Sequence, residues 1–115
     1  MPKQAKTSKS DKKAAKAAKA ERKAEMKAMK AKRKELRKAV DSLIDDYLDA
    51  SSKEETAHYA TKQARRESDD KKSKKFGSIE MRFNNKAGSL RDKVTTQLAK
   101  LADHERKIVK AKLAA

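Results

Sequence analysis

Cysteine is absent from this 115-residue chain, which excludes disulfides, thiolate catalysis and cysteine-based zinc sites. Tryptophan is absent too, and aromatic residues make up only 3% of the sequence, too few for a dedicated platform that stacks single-stranded bases. The one proline is Pro2 and the first glycine is Gly77. There is therefore no glycine-rich loop to cradle a phosphate. No apolar run approaches the roughly 18 residues needed to cross a bilayer. The opening "MPKQAKTSKS" lacks the apolar stretch of a secretory signal, and a mitochondrial transit peptide would favour arginine over lysine. The expected setting is cytoplasmic, nucleoid or nuclear, or a virion interior, and not secreted.

What the chain has instead is charge. Charged residues reach 43%, far above the usual quarter, and the net charge is +16. It is unevenly placed. Residues 1–40 carry sixteen Lys/Arg against four Asp/Glu, residues 41–70 four against nine, and residues 71–115 thirteen against four. Self-repulsion on this scale costs stability unless a polyanion neutralises it. The apolar share of 36% permits a thin core and no deep substrate pocket.

The organisation follows from these biases. Residues 1–10 carry spaced lysines and little to bury, and read as a disordered basic tail. From Asp11 strong helix formers take over, so 11–38 is expected as a Lys/Ala-rich helical arm running on to about residue 50. Residues 39–115 are expected to form a small helical domain, with helices at about 39–50, 53–70 and 90–112. "SSKEE" offers a break, because Ser52 with Glu55 matches a capping box. "SDDKKSKKFGS" reads as a polar linker and "NNKAG" as a turn, while "IEMRF" alternates like a short strand. That strand has no partner in sequence, so an extended segment on the helices, or a helical turn, is the alternative. Ser89 with Asp92 resembles an N-cap for the last helix.

Two seams show coiled-coil spacing. Met26, Met29, Arg33, Leu36, Val40, Leu43, Tyr47 and Ala50 alternate by three and four, interrupted by Arg33. Val94, Leu98, Leu101, Glu105 and Ile108 do the same, interrupted by Glu105. The first and last helices are expected to pack together, or with copies of themselves, and an Arg33–Glu105 pair would reconcile the two interruptions. The fold class is all-α: a long basic helix leading into a small bundle or hairpin of coiled-coil character.

The lysines have a direction. Lys12, Lys16, Lys19, Lys23, Lys27, Lys30, Lys34 and Lys38 recur every three or four residues, which confines them to a wedge of about 100° on a helix. Ala17, Ala20, Ala24, Ala28 and Ala31 lie on the adjacent flank. Each adjacent lysine pair costs roughly 0.2–0.5 kcal/mol in a free helix, and Glu25 and Glu35 recover only part of it. The stripe therefore favours a polyanion as partner. Arg33 and Arg37 extend it, and a second basic group, Lys71, Lys72, Lys74, Lys75, Arg82, Lys86 and Arg91, surrounds Phe76 and Phe83. Apart from Lys86, these cations, sixteen in all, are the candidate nucleic-acid-binding residues. Lysine meets phosphate as a point charge, so the mode is affinity without sequence reading.

Other constellations carry less. Asp41, Asp45 and Asp49 share a face with Asp46 beside it, and are expected to face basic segments rather than to hold a metal. His58 and His104 lie in no ligand motif, and no nucleophile motif exists, so neither enzymatic activity nor a cofactor is expected. In composition, residues 11–38 resemble the Lys/Ala-rich tails of linker histones and bacterial histone-like proteins, and the basic extensions of ribosomal proteins. That resemblance covers a quarter of the chain and implies a nucleic-acid partner. Duplex DNA is preferred over structured RNA. A structural or adaptor protein, self-assembling or docked on an acidic helical partner, is the competing reading. A membrane surface is disfavoured, since nothing larger than methionine is available for lipid before Leu36.

Overall fold

The computed structural model describes residues 9–114, which form two helices, α1 (Lys9–Arg66) and α2 (Asp70–Ala114), packed side by side as an all-α hairpin. Residues 1–8 of the expected disordered tail lie outside the described residues, while Lys9 and Ser10 already belong to α1. The hairpin is a rod 100 Å long and 17 × 13 Å in section.

The seam explains why two helices suffice. In heptad notation, with a and d facing the partner helix, α1 places Met26, Arg33, Val40, Tyr47, Glu54 and Thr61 at a. Its d positions are Met29, Leu36, Leu43, Ala50, Ala57 and Ala64, and all twelve residues are shielded from solvent. On α2 the a positions are Ser73, Glu80, Ala87, Val94, Leu101 and Ile108. The d positions are Phe76, Phe83, Leu90, Gln97, His104 and Ala111, again without an exposed member. The repeat runs unbroken for 39 residues on each helix, from Met26 to Ala64 and from Ser73 to Ala111. A strict seven-residue period keeps the seam on the partner over such lengths.

Several local signals yield to this long-range register. The break at Ser51 and Ser52 does not occur: α1 continues through it, and the Thr56 hydroxyl donates to the Ser52 carbonyl at 3.0 Å. The separate helices expected at about 39–50 and 53–70 are one element, because Ala50, Glu54 and Ala57 hold the seam across the serines. Residues 79–83 are helical rather than a strand. Glu80 and Phe83 are the seam residues there, and Met81, the middle member of the alternation, is exposed away from the seam. "NNKAG" is also helix, since Ala87 packs into a cluster with Ala50 and Leu90, and Asn84 donates to Glu54 at 2.7 Å instead of shaping a turn. Ser89 caps nothing. The helix expected at 90–112 begins twenty residues earlier, at Asp70. Of the α2 seam expected from sequence, Val94, Leu101 and Ile108 are inside, but Gln97 and His104 take the intervening places instead of Leu98 and Glu105.

The reversal is compressed into residues 67–69. Ser68 adopts φ 54°, the left-handed conformation that ends a helix. Its amide donates to the Arg65 carbonyl at 3.1 Å, and the Asp69 amide reaches the Ala64 carbonyl at 2.9 Å. These two bonds are the Schellman pattern. Asp69 then caps α2, its carboxylate accepting from the Lys72 amide at 3.0 Å.

The core is thin. Among the described residues seven apolar side chains are buried, and Ile108, at 1% exposure, is the one large side chain of these that is fully enclosed. Near the turn the helices approach on small residues: Ala57, Thr61 and Ala64 are buried, and a methyl of Thr61 lies 3.9 Å from where a side chain on Gly77 would begin. Thr61 satisfies its hydroxyl within its own helix, donating to the Ala57 carbonyl at 2.8 Å.

Candidate nucleic-acid interface

Register along the hairpin is set by polar contacts on one long side. Arg37 donates to Glu105 at 3.0 Å, and the expected Arg33–Glu105 pair is present at 3.5 Å. Farther along, Glu54 meets Asn84, and His58 lies 2.7 Å from Glu80. Arg37, His58, Asn84 and Glu105 all occupy e positions, so this flank is the side where e faces e. The g positions flank the opposite side.

His104 lies across from Met29, its Nε2 2.6 Å from the Met29 carbonyl. A carbonyl only accepts, so Nε2 carries the proton. The pairing of Ala50 with Ala87 and the turn between residues 66 and 70 put the end of α2 level with about residue 23 of α1. Residues 9–22 of α1 therefore run on past the end of α2. Every residue from Lys9 to Glu25 is exposed. Within that stretch the positions that would bury an apolar side chain are Lys12, Ala15, Lys19 and Arg22. The apolar seam begins at Met26, close to where its partner helix stops. An open notch marks the place, floored by Met26, Met29 and Ala111 and rimmed by Lys19, Arg22, Lys23 and Lys112.

The eight stripe lysines, Lys12 to Lys38, are all exposed. Between Lys23 and Lys34 they occupy e and b positions, on the flank that carries Arg37. At 1.5 Å per residue the stripe spans about 39 Å, a little over one turn of a duplex. Arg33 and Arg37 stand apart from it chemically, since both are paired with Glu105. Lys71, Lys72, Lys74, Lys75, Arg82 and Arg91 are exposed as well, but they are distributed around α2 rather than gathered on one face. Phe76 and Phe83 are not stacking platforms. Both sit half-buried at d, and the Phe83 ring is covered by Arg82 at 5.3 Å and Lys53 at 5.6 Å.

The structure also gathers some of the α2 cations into one stripe and adds Lys93, Lys100, Lys107 and Lys110 to them. Lys72, Lys86, Lys93, Lys100 and Lys107 occupy g positions of α2, with Lys75, Arg82 and Lys110 at the neighbouring c positions. All eight are exposed along about 57 Å of helix. The one acid at these positions is Asp103, which is tied to Arg106 at 2.6 Å. The signal was present in sequence as lysines 86, 93, 100 and 107, seven residues apart. A period of seven shows a face only once the whole segment is known to be helix. This second stripe lies on the opposite long side of the hairpin from Lys23–Lys34.

The acidic block occupies the middle of α1, where Asp41, Asp45, Asp46 and Asp49 are exposed and Asp49 pairs with Lys53 at 3.0 Å. The rod is thus basic at the arm, acidic on α1 at its waist and basic again toward the turn. Among the described residues no group of three or more His, Asp or Glu is arranged to hold a metal ion, and no helix is long and apolar enough to cross a membrane. No known protein family, characterised protein or solved structure matches this chain.

Proposed function

We propose that this protein binds nucleic acid without sequence specificity, by neutralising phosphates, and that it serves compaction, packaging or ribonucleoprotein assembly. One observation carries the reading. The exposed lysine stripe continues past the end of α2, and there even the seam positions are lysine, arginine or alanine. A helix awaiting a helical partner would keep apolar residues at those positions. This one offers charge on nearly every side, and neutralisation by a polyanion removes the like-charge cost that the stripe imposes.

Duplex DNA is the preferred partner because the stripe matches about one duplex turn and its lysines act as point charges on phosphate. The second stripe on α2 faces the other way, so a single straight duplex cannot meet both. A protein with two cationic sides holds two segments together, which supports compaction over the recognition of one site. The test is binding to duplex DNA, duplex RNA and single strands over a range of salt. Eight phosphate contacts give a log–log salt slope of about −7 on duplex DNA. A slope near zero on every nucleic acid overturns the proposal.

A further inference from the structure

Seven large apolar side chains are exposed among the described residues, and they are not scattered. Ile44 and Leu98 occupy e positions, and Leu48, Met81 and Val109 occupy b positions. Five of the seven thus lie on the same long side, the flank adjoining e. None occupies the g or c positions of the other side. Leu48 is 57% exposed, Leu98 46% and Val109 53%. Between these residues α2 places only small side chains at b, namely Gly88, Thr95 and Ala102. The face is therefore a second, shallower seam beside the first.

We propose that this face is covered by a second copy of the chain, lying antiparallel, to form a four-helix dimer. Charge order along the face selects both the occupant and its direction. The Arg37–Glu105 pair fixes the register, and one heptad farther along both helices Ile44 stands opposite Leu98. These two mark the apolar centre. Toward the arm the same face turns cationic with Lys27, Lys30 and Lys34. Toward the turn it carries Glu55, in the open cleft that Glu54 and Glu80 line with His58, and beyond that Lys62 and Lys74. Lys30 lies about 21 Å from the level of Ile44 and Glu55 about 17 Å on the other side. A two-fold axis through the centre therefore brings each copy's Lys30 and Lys34 to within about one helical turn of its partner's Glu55, while Lys27 comes level with the partner's Lys62. A parallel pairing sets lysines against lysines and carboxylates against carboxylates.

Size agrees. From the Lys27 level to the Lys62 level the face is about 50 Å long, and the rod is 17 Å across its wider section. That footprint is close to the roughly 800 Å² per partner of a stable interface. The need is present as well, since a hairpin with seven buried apolar side chains has little core of its own. The dimer covers Lys27, Lys30 and Lys34, and it leaves Lys12, Lys16, Lys19 and Lys23 of each arm and the α2 lysine stripe of each copy outside for phosphate, with the two arms projecting from opposite ends.

The experiment is sedimentation equilibrium of nuclease-treated protein, so that bridging nucleic acid is removed. The expected mass is twice the 12.9 kDa of the chain. The double variant Leu48→Glu/Leu98→Glu is expected to dissociate at least tenfold more readily with unchanged helicity, because both side chains are exposed in the hairpin. Lys34→Glu and Glu55→Lys each weaken the dimer, and their combination restores it. Direction is read by disulfide crosslinking, for which the absence of native cysteine is convenient. Ile44→Cys crosslinks to itself and Lys16→Cys does not. A monomer at every concentration, a dimer indifferent to Leu48→Glu/Leu98→Glu, or efficient crosslinking through Lys16→Cys overturns the proposal. None of these readouts involves nucleic acid, so they leave the binding function to its own test.

Discussion

Replacing Lys12, Lys16, Lys19 and Lys23 with glutamine separates a functional stripe from a solvated one. All four side chains are exposed, and they project from the part of α1 that runs beyond or beside the end of α2. Glutamine keeps a helix propensity close to that of lysine, so the arm retains its shape. Each phosphate contact contributes about 0.9 to the salt slope on duplex DNA, so loss of four takes it from about −7 to about −3.5. Between about 50 and 200 mM salt the native protein should then lose affinity by about ten-thousand-fold, and the variant by only about a hundredfold. Affinity at low salt falls as well, because fewer counterions are released. Stability should move the other way. The four substitutions remove like-charge pairs 12–16, 16–19, 19–23 and 23–27, each worth roughly 0.2–0.5 kcal/mol, so arm helicity rises. Fluorescence anisotropy over a salt series, with circular dichroism in parallel, reads both. A slope unchanged by the four substitutions would refute the assignment of the arm to phosphate.

Three further outcomes are expected. Ile108→Ala removes the most enclosed large side chain and should cost about 2–3 kcal/mol, seen as a lower urea midpoint. A cost below about 0.5 kcal/mol would mean that α2 is not packed at that point. Ser68→Gly should stabilise by about 0.5–1 kcal/mol, because glycine adopts φ 54° without the strain that a Cβ brings, and a fall in thermal midpoint contradicts the turn. Glu105→Gln loses the pairs with both Arg33 and Arg37, yet these groups remain partly exposed, so the loss should stay within about 1 kcal/mol and shrink with added salt.

Much of the helical character was legible because it rests on near-neighbour chemistry. No glycine or proline interrupts residues 3–76, and the 3-4 spacing from Met26 to Ala50 marked the face that the structure buries. The Arg33–Glu105 pair was readable from two interruptions that matched. The breaks were misread because each local signal has a second use inside a helix. Ser52 and Glu55 fit a capping box, yet Ser52 offers its carbonyl to Thr56 and the chain runs on. Asn84 reads as a turn residue until Glu54 is across from it to accept its amide. At Ser68 the opposite happened. Serine carries little of the left-handed preference that glycine announces, so the true reversal was expected only as part of a longer linker.

Determined by the sequence alone were the all-α class, the placement of charge, the helical register of the arm lysines and the lack of chemistry that needs thiols or glycine loops. These depend on residue type and on spacing within one helix. Only the tertiary structure decided that there are two helices rather than several, because 39 residues of seam on each helix outweigh a few tenths of a kcal/mol of local preference at any one break. Only the packing of α2 against α1 put His104 and Gln97 inside while Leu98 stayed at the edge. The same packing set the α2 lysines on one side of the rod and the uncovered apolar face on the other. A face belongs to a helix in its place, and the order of residues does not say which side the neighbour will take.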